Sequence, residues 1–194
     1  FFGFFFLIIN FSQSQNKSPN IILMIGDGMG LSQISAGMYA NNNTTILEEF
    51  DYIGLSKTHS LNYLITDSAA SGTAMSSGVK TINRAIGIDG KNQMPKSILD
   101  ICKEKGYNVG LLVTSTIVHA TPASFYSHSQ SRYNYEEIAL QLREHDIDLF
   151  VGGGERYFTK RKDKRNLINE MSNYTFVKNF DEFMKSNSEK IGYF

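Results

Sequence analysis

Cysteine is almost absent: Cys102 is the only one in 194 residues. That excludes an intrachain disulfide and any zinc site built from several thiolates. Cys102 lies in Ser97-Ile-Leu-Asp-Ile-Cys-Lys-Glu-Lys105, where Ile98, Leu99, Ile101 and Cys102 share one helical face. It reads as a small buried hydrophobe rather than a reactive thiol. Net charge is absent too, because 19 basic and 19 acidic residues cancel. No basic excess points to nucleic acid and no acidic block to a disordered tail. The basic run Lys160-Arg161-Lys162, continued by Lys164-Arg165 after Asp163, reads as a solvated loop or helix start. The body of the chain has no Pro-rich linker, internal repeat or low-complexity tract. It also lacks the stretch of about 20 apolar residues that a membrane-spanning helix needs. The nearest candidate, Phe1 to Phe11, is apolar except for Gly3 and Asn10 and runs into Ser-Gln-Ser-Gln15. It matches the apolar and cleavage regions of a secretory signal peptide, with no initiating Met and no basic stretch before it. The expected division is a signal-peptide remnant over residues 1–15 and one globular unit over 16–194, in the periplasm or outside the cell.

With 41% hydrophobic residues, the chain has the material for one sizeable core. Asn20-Ile-Ile-Leu-Met-Ile25 is a continuous apolar run of the kind buried on both faces of a sheet. Gly26 to Gly30 turns the chain, and Leu31 to Ala40 follows as a helix. Tyr52–Ser56 and Tyr63–Thr66 read as short strands, Lys96–Lys105 as a helix ended by Gly106, and Asn108–Thr114 as a strongly buried strand. Tyr135–Glu144 reads as another helix, and Ile147–Val151 as a strand running into Gly152-Gly-Gly154. Asn166 to Phe194 is polar and poorly patterned, with weak helix signals at Leu167–Met171 and Phe180–Met184. Alternating strands and helices predict an α/β fold, a three-layer α/β/α sandwich around a mostly parallel central sheet. In such sheets ligands sit at the carboxyl ends of strands, so the loops after Ile25, Thr66 and Thr114 are where chemistry is expected.

The first loop, Gly26-Asp27-Gly28-Met29-Gly30, falls short of a dinucleotide fingerprint, because Leu31 stands where the third glycine would be. Asp27 between flexible glycines suits a divalent cation better than a pyrophosphate, although an Asp capping the next helix explains this loop equally well. The second loop leads into Asp67-Ser68. Eight of the ten residues from Ala69 to Gly78 are Ala, Gly or Ser. A serine at the head of such a segment would sit at a helix amino terminus, where the dipole and free N–H groups favour negative charge. A tight helix crossing explains the small residues but not the leading Asp-Ser pair. The pattern Gly-x-Ser-x-Gly is missing, which excludes the nucleophile elbow of serine hydrolases. The third loop holds His119 and Thr121, two residues apart and able to face one pocket, followed by Pro122-Ala123, His128 and Arg132. Arg132 offers a planar donor fork suited to phosphate oxygens. His128 and His59 read as structural residues.

Together these residues resemble the alkaline phosphatase family from about Asn20 to Gly154, with a weaker continuation to Phe194. The most specific element is Ile65-x-Asp67-Ser68-Ala-Ala-Ser-Gly-Thr73, similar to that family's active-site signature. Asn20-Ile-Ile-Leu-Met-Ile-Gly-Asp-Gly-Met-Gly30 and His119-Ala-Thr-Pro-Ala123 match independently and in the family's order. The resemblance implies hydrolysis of small-molecule phosphate monoesters through a phosphoserine intermediate. It implies two zinc ions and one magnesium ion as cofactors, and a homodimer when the chain is full length. Residue by residue, it implies Ser68 as nucleophile and Arg132 as the clamp on two phosphoryl oxygens, oriented by Asp67. It further implies Asp27 as a ligand bridging zinc and magnesium, Thr121 as a magnesium ligand, and His119 at the third metal, directly or through water.

One departure stands out. The family carries further His, Asp and Glu ligands in the second half of a chain about twice this long. After Arg132 the only histidine here is His145, and no Asp-x-x-x-His pattern occurs. The chain therefore reads as the amino-terminal portion of a longer catalytic domain, lacking most zinc ligands and inactive alone. Two other readings compete: a short phosphate- or metal-binding protein without turnover, and a related metal-dependent phosphodiesterase or sulfatase.

Overall fold

The structure, a computed structural model, describes residues 19–194. The proposed signal segment, 1–15, lies outside the described residues. The chain divides into two units, one ending at Thr45 and one beginning at Ile46.

The first unit holds helix α1, Leu31–Ala40, with Gly30 as its N-cap and Gln33 Oε1 accepting the Gly30 N–H at 3.1 Å. Ahead of it, Gly26 C=O accepts the Met29 N–H at 3.2 Å, closing a turn with Asp27 and Gly28 at its centre. Gly28 has φ +70°, which a side chain adopts only at a cost, so glycine suits this turn. The expected strand Asn20–Ile25 does not form: these residues join no ladder, and Ile22 and Met24 are 85% and 87% exposed. An apolar run becomes a central strand only where strands flank it, and none of the described ladders includes this one.

The second unit is built on a four-stranded, all-parallel sheet. Its strands are β1 (Gly110–Thr116), β2 (Leu149–Gly153), β3 (Thr175–Val177) and β4 (Ile191–Tyr193), in the order β1-β2-β4-β3. The α/β class and parallel sheet agree with the strand–helix alternation. Two short strands emerge from the stretch after Asn166 that shows little pattern, and one of them, β4, lies inside the sheet. The expected burial of the strand after Asn108 is corrected: β1 forms two residues later, pairs only with β2 at the end of the strand order, and leaves Leu112 66% exposed. Tyr52–Ser56 and Tyr63–Thr66 are not strands either. They lack ladder partners and stay largely exposed, because period-two apolar residues cannot make a strand without a neighbour to bond.

The helices are α2 (Ser68–Ser77), α3 (Ile98–Glu104), α4 (Ala120–Ala123), α5 (Tyr135–Glu144), α6 (Arg156–Thr159), α7 (Leu167–Glu170) and α8 (Phe180–Lys185). Their ends follow local chemistry. Ser97 Oγ accepts the Asp100 N–H and the Asp100 carboxylate accepts the Ser97 N–H, a capping box that starts α3. Gly106, at φ +80°, follows its last turn. Helix α5 buries Ile138, Ala139 and Leu142, the i, i+1, i+4 stripe of an amphipathic helix. Behind the sheet an aromatic cluster surrounds the fully buried Phe150: Phe194, Tyr174, Phe176 and Phe158 have ring centroids 5.5, 5.6, 6.1 and 6.5 Å from it. Lys103 of α3 binds both Asp148 oxygens at 3.0 Å, and Asp148 also accepts the Val109 N–H at 2.7 Å. This contact ties α3 to the starts of β1 and β2.

Candidate active site

Asp67 and Ser68 occupy the amino terminus of α2. Asp67 has extended backbone (φ −99°, ψ 173°), and its Oδ1 accepts the Ala70 N–H at 3.0 Å, so it is the N-cap and Ser68 the first helical residue. This is the position expected from the small-residue run, and Ser68 is half-buried there. The other carboxylate oxygen, Oδ2, accepts the Arg84 N–H at 3.0 Å and receives Arg132 Nη1 at 3.2 Å. One short side chain thus caps the helix and holds the arginine.

Small residues let α2 and α4 approach closely. A Cβ placed on Gly72 would lie 2.8 Å from Ser124 Oγ and 3.5 Å from Thr121 Cα. Ser124 Oγ donates to Ala120 C=O at 2.8 Å and lies 3.4 Å from Ala69 C=O. The tight crossing and the Asp-Ser pair are therefore both present, the first setting the second against α4. His119 is the N-cap residue of α4, and Thr121 lies in its first turn. His119 Nε2 stands 3.4 Å from Arg132 Nη2, so the imidazole and Asp67 contact separate nitrogens of one guanidinium. These two contacts take one N–H each, and a guanidinium carries five. Thr121 and His119 are both half-buried.

Arg132 is placed by a two-strand contact absent from the sheet. Ile86 and Ser129 form an isolated antiparallel bridge, with N–H···O distances of 2.8 and 2.9 Å, and the Arg132 N–H donates to Arg84 C=O at 2.8 Å. Sequence reasoning missed the partner segment of this zipper, Asn83-Arg84. Asn83 Oδ1 accepts the Asp67 N–H at 3.2 Å and its Nδ2 donates to Ile65 C=O at 3.0 Å. Arg84 has φ +76°. An Asn in a turn between two motifs is the only signal that marks this segment.

A cleft of about 850 Å³ is lined by Asn62, Tyr63, Leu64, Ile65, Asn83 and Arg84. Its lining offers no carboxylate and no serine, which stand together in the Asp67–Ser68–Arg132 group.

His59 and His128 fall outside that group. His128 Nδ1 contacts Gly87 C=O, and its backbone exchanges hydrogen bonds of 2.8 and 2.9 Å with Gln141, a structural role. Asp27 belongs to the first unit, where it sits exposed in the Gly26–Met29 turn.

The sequence model of the family described as alkaline phosphatase matches residues 18–194. The chain belongs to the alkaline phosphatase family. It is 40% identical over 196 residues to alkaline phosphatase 4 of Bacillus subtilis (strain 168), covering 92% of this chain and 42% of the relative. The repressible alkaline phosphatase of Saccharomyces cerevisiae is 36% identical, over 92% of this chain and 37% of its own length. Alkaline phosphatase from the Antarctic bacterium TAB5 superposes with a TM-score of 0.81 at 42% identity, over 86% of this chain and 50% of that one. A variant of that enzyme has magnesium bound in its M3 site. The chain thus spans about half, or less, of the length of the relatives it matches.

The family implies metal ions, and the donors on this chain can be tested against them. Thr121 and Asp27 offer hard oxygen atoms of the kind magnesium takes, and His119 offers an imidazole of the kind zinc takes. Among the described residues no three His, Cys, Asp or Glu side chains converge to hold an ion. The donor types fit, as part of a shell. No described helix is long and apolar enough to cross a membrane.

Proposed function

We propose that the protein to which this chain contributes hydrolyses phosphate monoesters, with Ser68 as the group that accepts the phosphoryl. The observation that carries this reading is the double role of Asp67, whose two oxygens cap the helix that Ser68 begins and hold Arg132 beside it.

Ser68 Oγ, its proton released to solvent, attacks phosphorus as the P–O bond to the alcohol breaks, and the alkoxide leaves with that electron pair and takes a proton from solvent. Water then attacks the phosphoserine, releasing phosphate and restoring the Ser68 hydroxyl. Both displacements move charge onto the equatorial oxygens, where positioned cations lower the barrier most. Arg132 supplies one of them, its fork matched to two oxygens and its direction set by Asp67. Helix α2 contributes its amino-terminal dipole, which favours a developing alkoxide at Ser68 over one in water. Zinc and magnesium, when bound, polarise phosphoryl oxygens and lower the pKa of a nucleophile. By the family resemblance, Asp27 and Thr121 would provide two of their ligands, and His119 would stand at the third metal, directly or through water. The remaining ligands come, in this reading, from the part of the longer protein that this chain does not include, which leaves the 194-residue chain inactive by itself. Residues 1–15 would direct the protein across a membrane, so it would work in the periplasm or outside the cell, as a homodimer.

The test is turnover of p-nitrophenyl phosphate by the product of the complete reading frame, with zinc and magnesium supplied. Activity is expected, with loss of at least a thousandfold in Ser68→Ala and a phosphorylated Ser68 in acid-quenched samples. Full activity in Ser68→Ala would end this assignment. Turnover by the 194-residue chain alone would refute the claim that ligands are missing from it. Faster cleavage of a diester or sulfate ester would favour the neighbouring hydrolase classes instead.

A further inference from the structure

We infer that Asn83 is a positioning residue for the phosphate clamp, fixing Asp67 and, through the turn it begins, Arg132. The inference rests on the phosphatase reading above and adds to it a residue outside the motifs that carry that reading.

Three hydrogen bonds run from Asn83. Its Oδ1 accepts the Asp67 N–H at 3.2 Å, its Nδ2 donates to Ile65 C=O at 3.0 Å, and its own N–H donates to Asn62 Oδ1 at 2.9 Å. The carboxamide therefore spans the segment leading to Ser68, reading an acceptor at 65 and a donor at 67. No other small side chain does both: Asp lacks the donor, Ser reaches less far, and Leu offers neither.

The next residue completes the arrangement. Arg84 donates its N–H to Asp67 Oδ2 at 3.0 Å and accepts the Arg132 N–H on its C=O at 2.8 Å. The turn is closed by Ala85 N–H on Ile82 C=O at 3.3 Å, with Asn83 and Arg84 at its centre. Arg84 reaches these partners only with φ +76°, a left-handed conformation that costs a residue with a side chain. Such strain persists where the surroundings over-determine it, and it gathers at functional sites. Here it aims one N–H at the carboxylate that orients the clamp and one C=O at the clamp's own backbone. Asn83 anchors the near end of that turn to the backbone of Asp67. Backbone and side chain of Asp67 are thus set from one short segment, and Arg132 from the same segment. A clamp arginine displaced by a fraction of an ångström loses its bidentate fit, and misplacement of about 1 Å can cost a hundredfold.

The test uses the product of the complete reading frame, as wild type, Asn83→Ala, Arg132→Ala and the double variant. Inorganic phosphate is the probe, as a competitive inhibitor of p-nitrophenyl phosphate hydrolysis. Asn83→Ala is expected to weaken phosphate about tenfold and to raise KM in step, while the melting temperature moves by only a few degrees. In the Arg132→Ala background the same substitution should cost far less, because its effect passes through the arginine. Unchanged phosphate affinity, or costs that simply add, would overturn the inference. If the wild type neither turns over nor binds phosphate, the phosphatase reading fails by itself. Amide exchange at Arg132 in the 194-residue chain then decides the positioning role. Asn83→Ala should speed that exchange about tenfold if Asn83 holds the turn, and unchanged exchange would refute it.

Discussion

Gly72 of α2 faces Ser124 of α4 so closely that a β-carbon on residue 72 would stand 2.8 Å from Ser124 Oγ and 3.2 Å from its Cβ. Both residues are buried, and a serine oxygen on a one-carbon stem has little room to retreat. The crossing, about one helical turn beyond Ser68, packs α2 against the helix that carries Thr121. Gly72→Ala should therefore destabilise the protein by about 1–2 kcal/mol, overpacking outweighing the roughly 1 kcal/mol that alanine gains over glycine in a helix. Ser124→Ala removes the nearer atom, so the double variant should be more stable than the two single costs predict. Urea midpoints at fixed m-value measure all four proteins.

Asp67 does two jobs with two oxygens, and they can be separated. Asn is as good an N-cap as Asp, so Asp67→Asn should keep α2, while its amide nitrogen, turned to the Arg84 N–H, no longer accepts that bond, a loss of about 1 kcal/mol. The amide no longer supplies the charge that pairs with Arg132 Nη1 at 3.2 Å, so phosphate affinity in the full-length protein should fall about tenfold. Asp67→Ala loses both roles and should add about 1 kcal/mol of destabilisation to the same loss of affinity. Denaturation and phosphate inhibition, measured on both variants, separate cap from clamp.

Elements written in local chemistry were legible in the sequence. Helix α5 matches its expected span because one stripe, Ile138, Ala139 and Leu142, is apolar and the opposite face is charged. Helix α3, Ile98–Glu104, lies inside the expected span 96–105 and begins just after its cap Ser97, three residues before Asp100. Ser68 at a helix head was likewise readable, since Asp67 and the small residues are adjacent in the chain. What depends on distant partners was not. The apolar runs at 20–25, 52–56 and 63–66 promised strands, but a strand exists only when another bonds to it, and no local pattern names that partner. Strand β4 is the reverse case: Ile191-Gly-Tyr193 is three residues long, yet it lies between β2 and β3. Asn83 escaped for the same reason, its role being fixed by Asp67 sixteen positions away.

Lys103 and Asp148 form a half-buried pair, their side chains 21% and 17% exposed, and Asp148 also carries the Val109 N–H. Asp148→Ala leaves the Val109 N–H without its acceptor and the Lys103 ammonium with only the more exposed Asp146 carboxylate, 3.2 Å away. The expected cost is about 2–3 kcal/mol, between an exposed ion pair and a buried one. Lys103→Met leaves the Val109 bond intact and keeps an apolar stem, so it should cost less than Asp148→Ala. Equal costs would mean that the ion pair, rather than the Val109 contact, carries the effect. Urea unfolding of both variants decides the order.

Tyr174 packs its ring 5.6 Å from Phe150, and its hydroxyl donates to Ile147 C=O. Burial, followed by the nearby Asp146 and Asp148 carboxylates, pushes its pKa from 10.0 up to about 12. The folded protein therefore holds the tyrosine neutral at a pH where the unfolded chain has already released the proton. Its contribution to stability is whole below pH 10 and is lost as pH rises from 10 towards 12. Tyr126, buried with its hydroxyl on Ile117 C=O at 2.9 Å, is pushed the same way by burial and adds to the same limb. Tyr174→Phe should cost about 1 kcal/mol at neutral pH, the worth of one buried hydrogen bond. Above pH 10 its stability should fall less steeply than that of the wild type, so the two curves converge. Denaturant midpoints from pH 7 to pH 11 measure the slope, and parallel curves across the alkaline range would show that Tyr174 does not carry it.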